Sequence, residues 1–343
     1  MGPSVFRRTR ASYFNQKSLG SCLRRNDEVV SADWLTPAEK MPWPVVTPFR
    51  MRPNLEKLDP VAPALLLRDE LADVYRRERE RVFTAHHSRA AAGSPSYEAL
   101  AAIAHLAHVG AALAAINGRD TPIAAKAAPA ARDVALLLQE DFVILKQHDD
   151  TLRTEYLSVC FPSRWDPREK LGLDFASIHA PVADNESLIA AGSKLMTMAF
   201  MQQPMLRHVW LIVPATSLDQ HPEKNQAWWS EALADPSPLL PRLFFRIERQ
   251  TTWPLAHLQR AVFFIRVMMC PLTKMLNLPS PVRPRIKYGA GPERSEGFDG
   301  SVGSMARAKQ LAASLRSMTP AIVAYRGMSD ALPRLLNELE AMS

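Results

Sequence analysis

The chain has 343 residues, 47% hydrophobic and 22% charged, which suits a soluble globular protein of one large or two ordinary domains with a core able to enclose a cofactor. Its three cysteines, Cys22, Cys160 and Cys270, have no C-x-x-C spacing, which argues against a disulfide framework, a zinc site or an iron–sulfur cluster and makes a reducing, cytoplasmic setting the default. The formal net charge of +7 is concentrated in residues 1–50, with eight Lys/Arg against four Asp/Glu; the remainder lacks a basic stripe interleaved with aromatics, so nucleic acid is not an expected partner.

No apolar run approaches a membrane span, so no membrane association is expected. Arg7, Arg8, Arg10, Arg24 and Arg25 lie among Ser and Gly with no acid before Asp27. A transit peptide, a disordered leader and an early start codon all share that composition. The reading taken is a dispensable leader over residues 1–48 and a single domain over 49–343.

A charged helix is predicted over about residues 66–87, with Leu67, Leu71 and Val74 on one face. A second, Ala-rich helix runs to about Ile116 and carries His105 and His108 at i, i+3, read as core histidines because no acidic partner is near. Strands follow at Phe142–Lys146 and Glu155–Phe161, then an irregular stretch, then a helix near Glu186–Met201. Three more strands are predicted at His208–Val213, Leu243–Gln250 and Ala261–Met268. Along the middle one Leu243, Phe245, Ile247 and Arg249 share one face, and Phe244, Arg246, Glu248 and Gln250 the other. Gly289–Ser304 reads as a surface loop whose glycines fit no phosphate-binding spacing. A last helix over Asp330–Met342 carries Leu332, Leu335, Leu336, Leu339 and Met342 on one face. Two strands, a helical middle and three strands make a PAS-like order. The fold class is therefore α+β: a five-stranded antiparallel sheet with helical N-terminal and C-terminal flanks.

The irregular stretch, FPSRWDPREKLGLDFASIHAPV from Phe161 to Val182, keeps neither helical nor strand period, as backbone shaped around a ligand would. His179 stands in it between Ile178 and Ala180-Pro181. Neutral imidazole is a common metal and haem-iron ligand, but a lone His is more often an ordinary packed residue.

QEDFVIL (Gln139–Leu145), FPSRWDPREKLG (Phe161–Gly172), IHAPV (Ile178–Val182), ERQT (Glu248–Thr251) and Tyr325-Arg326-Gly327 together resemble the haem-dependent oxidative N-demethylase family, and they stand in that family's order. The resemblance implies haem b in a PAS-like domain with His179 on the iron. It also implies a monooxygenase that removes an N-methyl group from a small secondary or tertiary amine as formaldehyde, using O2 and electrons from an external NAD(P)H-dependent reductase. The alternative is a haem-binding PAS-like sensor or carrier without turnover. Where the family tends to have Arg-x-Asn-Trp this chain has Arg207-His208-Val209-Trp210, and Ala183 replaces a common Pro. After ERQT it reads Thr252-Trp253-Pro254-Leu255-Ala256 in place of Leu-Arg-Arg-Leu-Pro.

A haem also needs cations for two propionates. Arg164, Lys170, Arg207 and Arg249 are the candidates, each with a surface salt bridge as its plainer explanation. An amine substrate needs a carboxylate near the iron, with Glu248 the first choice and Asp141 the second. The plainer explanation for Glu248 is an ion pair with Arg246 or Arg249.

Overall fold

Alternating side chains from Asp141 onward build the five long strands of one sheet. The computed structural model describes residues 33–51, 54–58, 65–116, 130–224, 227–278 and 303–342. Its strands are β1 (Glu56–Lys57), β2 (Ala91–Gly93), β3 (Asp141–His148), β4 (Thr151–Ser158), β5 (Met205–Val213), β6 (Phe244–Leu255) and β7 (Arg260–Pro271). They lie in the order β1-β5-β6-β7-β3-β4-β2, every neighbouring pair antiparallel. The class is α+β as expected, and the sheet is corrected from five strands to seven. β1 and β2 escaped the sequence reading because two or three residues cannot display an alternation.

The helices are α1 (Ala72–Ala90), α2 (Tyr97–Ile116), α3 (Ala131–Leu137), α4 (Phe175–His179), α5 (Glu186–Ala190), α6 (Gly192–Met196), α7 (Trp228–Ala234), α8 (Leu272–Leu276), α9 (Gly303–Arg316), α10 (Pro320–Tyr325) and α11 (Leu332–Ala341). The single helix expected near Glu186–Met201 is three pieces, α5, α6 and a π-helical turn over Thr197–Gln202. Gly192 opens the second piece, and a Cβ there would meet the Phe175 ring at 3.0 Å. Close packing against Phe175 favours glycine at this point, and glycine weakens helix continuity. Cys22 and residues 289–302 of the Gly/Ser-rich segment lie outside the described residues.

The pleat divides the sheet's work between two faces. On one face Phe142, Ile144, Tyr156, Val262 and Phe264 pack with α1, α2 and α3. That face continues through Trp210, Ile212, Phe245, Ile247 and Met268, which pack with α8, α9 and α11. Leu335 and Leu339 of α11 are fully buried there, as the helical period predicts. Cys160 and Cys270 are buried free thiols. His105, expected in the core, is exposed on α2.

Residues 33–48 correct the expected leader, because they are part of the fold. Trp34 Nε1 donates to the Thr216 carbonyl at 2.8 Å, and the Thr36 N–H to the Met269 carbonyl at 2.8 Å. Trp43 stacks on Phe245 with ring centroids 5.1 Å apart, and its Nε1 donates to Gln310 at 2.8 Å. Val45 is fully buried, and its carbonyl accepts from Gln310 at 2.9 Å. The sequence reading took this stretch for leader because its prolines hide any period. The remainder of the proposed leader, residues 1–32, lies outside the described residues.

Trp43→Ala therefore removes an aromatic stack on β6 and a hydrogen bond to α9 from the segment over residues 33–48. It should destabilise the fold by about 3 kcal/mol, read as a lowered denaturation midpoint with an unchanged slope.

Candidate functional site

The opposite face of the sheet forms the floor of a cavity of about 510 Å³. Strand alternation selects its floor: Arg207, Val209 and Leu211 on β5, Glu248, Gln250 and Thr252 on β6, Phe263 and Ile265 on β7, Val143 and Leu145 on β3. Its roof is the irregular stretch from Phe161, together with α4, α6 and the π-helical turn. This volume falls within the range of sites that bury a small organic ligand.

The irregular stretch is hung from the strands by its own backbone, as a segment without regular structure must be. The Cys160 and Phe161 N–H groups both donate to the Asp141 carboxylate at 2.9 Å. Arg246 donates to the Phe161 carbonyl at 2.9 Å and to Ser163 Oγ at 2.8 Å. Farther on, the Thr154 hydroxyl donates to the Lys170 carbonyl, and the Gly172 N–H to the Thr154 carbonyl at 3.0 Å.

His179 ends α4 and lines the cavity. Asp174 starts this short helix by accepting the Ser177 N–H at 2.9 Å, and Asn185 closes it by donating to the His179 carbonyl at 2.8 Å. The His179 ring lies 4.1 Å from the Phe175 ring, and its Nδ1 is 2.8 Å from the Phe175 carbonyl. A carbonyl only accepts, so Nδ1 carries the proton and Nε2 keeps its lone pair. Burial, helped by the charges of Arg207 and Lys170, pushes the imidazole pKa down to about 4. This is the protonation state of a metal ligand, with a backbone carbonyl orienting the ring.

Arg164, Lys170 and Arg207 all reach the cavity. Arg164 is exposed and Lys170 half-buried, which places them at its mouth. The Arg164 guanidinium donates to the Arg326 carbonyl at 3.3 Å and lies against Gly327, where a Cβ would overlap it. FPSRW and Tyr325-Arg326-Gly327, far apart in sequence, thus meet at one edge. Arg326 donates to the Trp210 carbonyl at 2.9 Å and lies over the Phe49 and Trp210 rings. Arg207 lies deeper, on the sheet. Its Nε is buried without a hydrogen-bond partner, and burial holds its pKa below the usual value against the opposing pull of Glu248.

Arg249 does not join them. It lies on the opposite face of β6, where it donates to the Leu65 carbonyl at 3.3 Å. The candidate on β6 fails because that strand alternates: Glu248 and Gln250 take the cavity and Arg249 the core side.

Glu248 is buried in the cavity wall and accepts a hydrogen bond from Gln250 Nε2 at 2.7 Å. The ion pair considered for it is not formed. Arg246 spends its donors on Phe161, Ser163 and Met269, and Arg249 faces away. Asp141 is a different case. It is fully buried, paired with Arg79, and already accepts two backbone N–H groups. It does not line the cavity.

The sequence reading missed Gln250, although Arg246, Glu248 and Gln250 at alternate positions put three polar residues on one face of the strand, and that is the signal. It also gave no role to Tyr325 and Arg326, which line the cavity. Asp166, His221 and Glu223 lie close enough to share a metal ion. The Arg168 guanidinium already bridges both carboxylates. His221 Nδ1 accepts the Glu223 N–H at 3.2 Å, which leaves the ring proton on Nε2. These are the marks of a structural network.

Residues 108–286, just over half of the chain, match the family model described as haem-dependent oxidative N-demethylase, alpha subunit-like.

Two outcomes follow from these placements. Asp141→Asn should cost about 3–5 kcal/mol, because it leaves the Arg79 charge buried and unpaired; a denaturant midpoint close to wild type would show that the carboxylate is not structural. The second concerns acid. His208 lies on the core side of β5, where burial, aided by Arg249, pushes its pKa down to about 4. The unfolded chain takes up this proton near pH 6.5. The stabilisation from neutral His208 is therefore complete above pH 6.5 and is lost as pH falls towards 4, with a slope of at most about 1.4 kcal/mol per pH unit. His179 contributes a like slope, so in a pH series of unfolding free energies His208→Gln should reduce the acid-side slope by its own share and leave that of His179.

Proposed function

The chain belongs to the haem-dependent oxidative N-demethylase, alpha subunit-like family, and from that premise we propose that it binds haem b through His179 and removes an N-methyl group from a small secondary or tertiary amine as formaldehyde. The observation that carries this reading is His179 itself: neutral, oriented through Nδ1 by the Phe175 carbonyl, and presenting Nε2 at a cavity wall. The cavity residues fit a haem in two respects. Val143, Leu145, Phe200, Phe263 and Ile265 offer an apolar slot. Arg164 and Lys170 stand at the mouth, where two propionates would meet water. The unpartnered Arg207 Nε in the same wall supports a bound ligand there. The five long strands, with β3 and β7 side by side at the centre, support a PAS-like reading of this domain.

Bound haem would supply oxygen activation and the oxidation of a methyl C–H bond. The chain supplies the rest. Glu248 receives the substrate ammonium and can take the proton whose loss frees the nitrogen lone pair. Gln250 fixes the carboxylate by donating to Oε2. The apolar walls exclude water and strengthen that charge pairing. A carboxylate poised in the wall favours turnover over sensing or carriage alone.

Hydroxylating one C–H bond with O2 consumes two electrons. The sequence has neither C-x-x-C nor G-x-G-x-x-G, so a separate NAD(P)H-dependent reductase is the proposed partner and a cytoplasmic setting the proposed location. No helix among the described residues is long and apolar enough to cross a membrane.

The purified protein should show a Soret band that His179→Ala abolishes and His208→Ala preserves. With a methylated amine, O2 and NADPH it should release formaldehyde only after a reductase is added, and Glu248→Gln should keep the Soret band while lowering that rate about a hundredfold or more. A colourless wild-type protein after haem reconstitution would overturn the reading.

A further inference from the structure

Two opposite charges stand side by side on the cavity floor without touching. The β5–β6 register sets Arg207 opposite Gln250 and Val209 opposite Glu248, which makes Arg207 and Glu248 diagonal neighbours on one face. Among the described residues they form no ion pair. Glu248 is held by Gln250 at 2.7 Å, and Arg207 Nε is buried with no partner. Arg207 is half-buried and lines the cavity, where its guanidinium can receive an anion. With Arg164 and Lys170 proposed to hold the haem propionates, Arg207 is left for another anion. A simple dimethylammonium ion would satisfy Glu248 and sit beside an uncompensated cation. A molecule carrying a carboxylate one carbon from its nitrogen would satisfy both groups at once.

The geometry points to an N-methylated amino acid as the substrate class, its ammonium on Glu248 and its carboxylate on Arg207. This rests on the demethylase reading and narrows it. For N,N-dimethylglycine the balance is one substrate, O2, two electrons and two protons giving sarcosine, formaldehyde and water. A methyl C–H bond breaks and a C–O bond forms, the C–N bond then breaks, and the second oxygen atom leaves as water. The electrons come from the NAD(P)H-dependent reductase. The planar fork of Arg207 suits a carboxylate better than an ammonium would.

The test is calorimetric titration of the haem-loaded protein with N,N-dimethylglycine and with dimethylamine. N,N-dimethylglycine should bind at least about tenfold more tightly, close to 1.4 kcal/mol. Arg207→Leu should reverse that order, weakening N,N-dimethylglycine and tightening dimethylamine, while Arg207→Lys should keep part of the preference. Wild-type protein that binds dimethylamine as tightly as N,N-dimethylglycine overturns the proposal without any variant. Loss of the Soret band in Arg207→Leu also overturns it, since Arg207 would then be a propionate partner. Formaldehyde from dimethylamine without the preference leaves the demethylase reading standing and sinks only the substrate class. Absence of haem, or of formaldehyde from either amine, sinks both.

Discussion

The carboxylate of Asp141 holds together parts of the protein that would otherwise have no reason to meet. It stands at the first position of β3, neutralises Arg79 from α1, and accepts the two N–H groups with which the chain leaves β4 and becomes irregular. Arg246 takes the next carbonyl from β6. The root of the cavity roof is therefore fixed by two buried charges on two strands and a third on a helix. A charge pair in such a place adds little net stability, because desolvation offsets most of its attraction. What it adds is position: the segment ending at His179 departs from the sheet at one defined point.

From that root the roof needs few further supports. Backbone hydrogen bonds to Thr154 hold its middle, and Asp174 and Asn185 cap the short helix that presents the imidazole. Phe175 links the two levels, since its carbonyl orients His179 while its ring fills the space left by Gly192. The site thus depends on local hydrogen bonds in the roof and on packing in the floor.

The long strands and α11 were legible in the sequence because apolar period survives wherever one face is buried. His179 was legible only through the motifs around it, since one imidazole has no period. The strap over residues 33–48 was misread because it is held by tryptophan contacts and isolated hydrogen bonds, which leave no repeat. Arg249 and Glu248 show the opposite failure. The alternation of β6 was read correctly, yet one residue was drawn from each face for the same site, and the pleat forbids that. Asp141 was chosen for its charge, whereas its burial against Arg79 depends on a contact across many residues of chain.

The same pleat has a consequence for how such a protein can change. On β6 the residues that shape the cavity, Glu248, Gln250 and Thr252, alternate with Ile247, Arg249 and Thr251, which belong to the other side. The cavity lining and the packed core are thereby written on interleaved positions of one strand. Point changes at even positions alter what the cavity accepts while leaving the packed layer behind them almost untouched. An insertion or deletion of a single residue would exchange the two sets and lose both. Lineages sharing this architecture should therefore diversify by substitution along β6 and keep its length fixed.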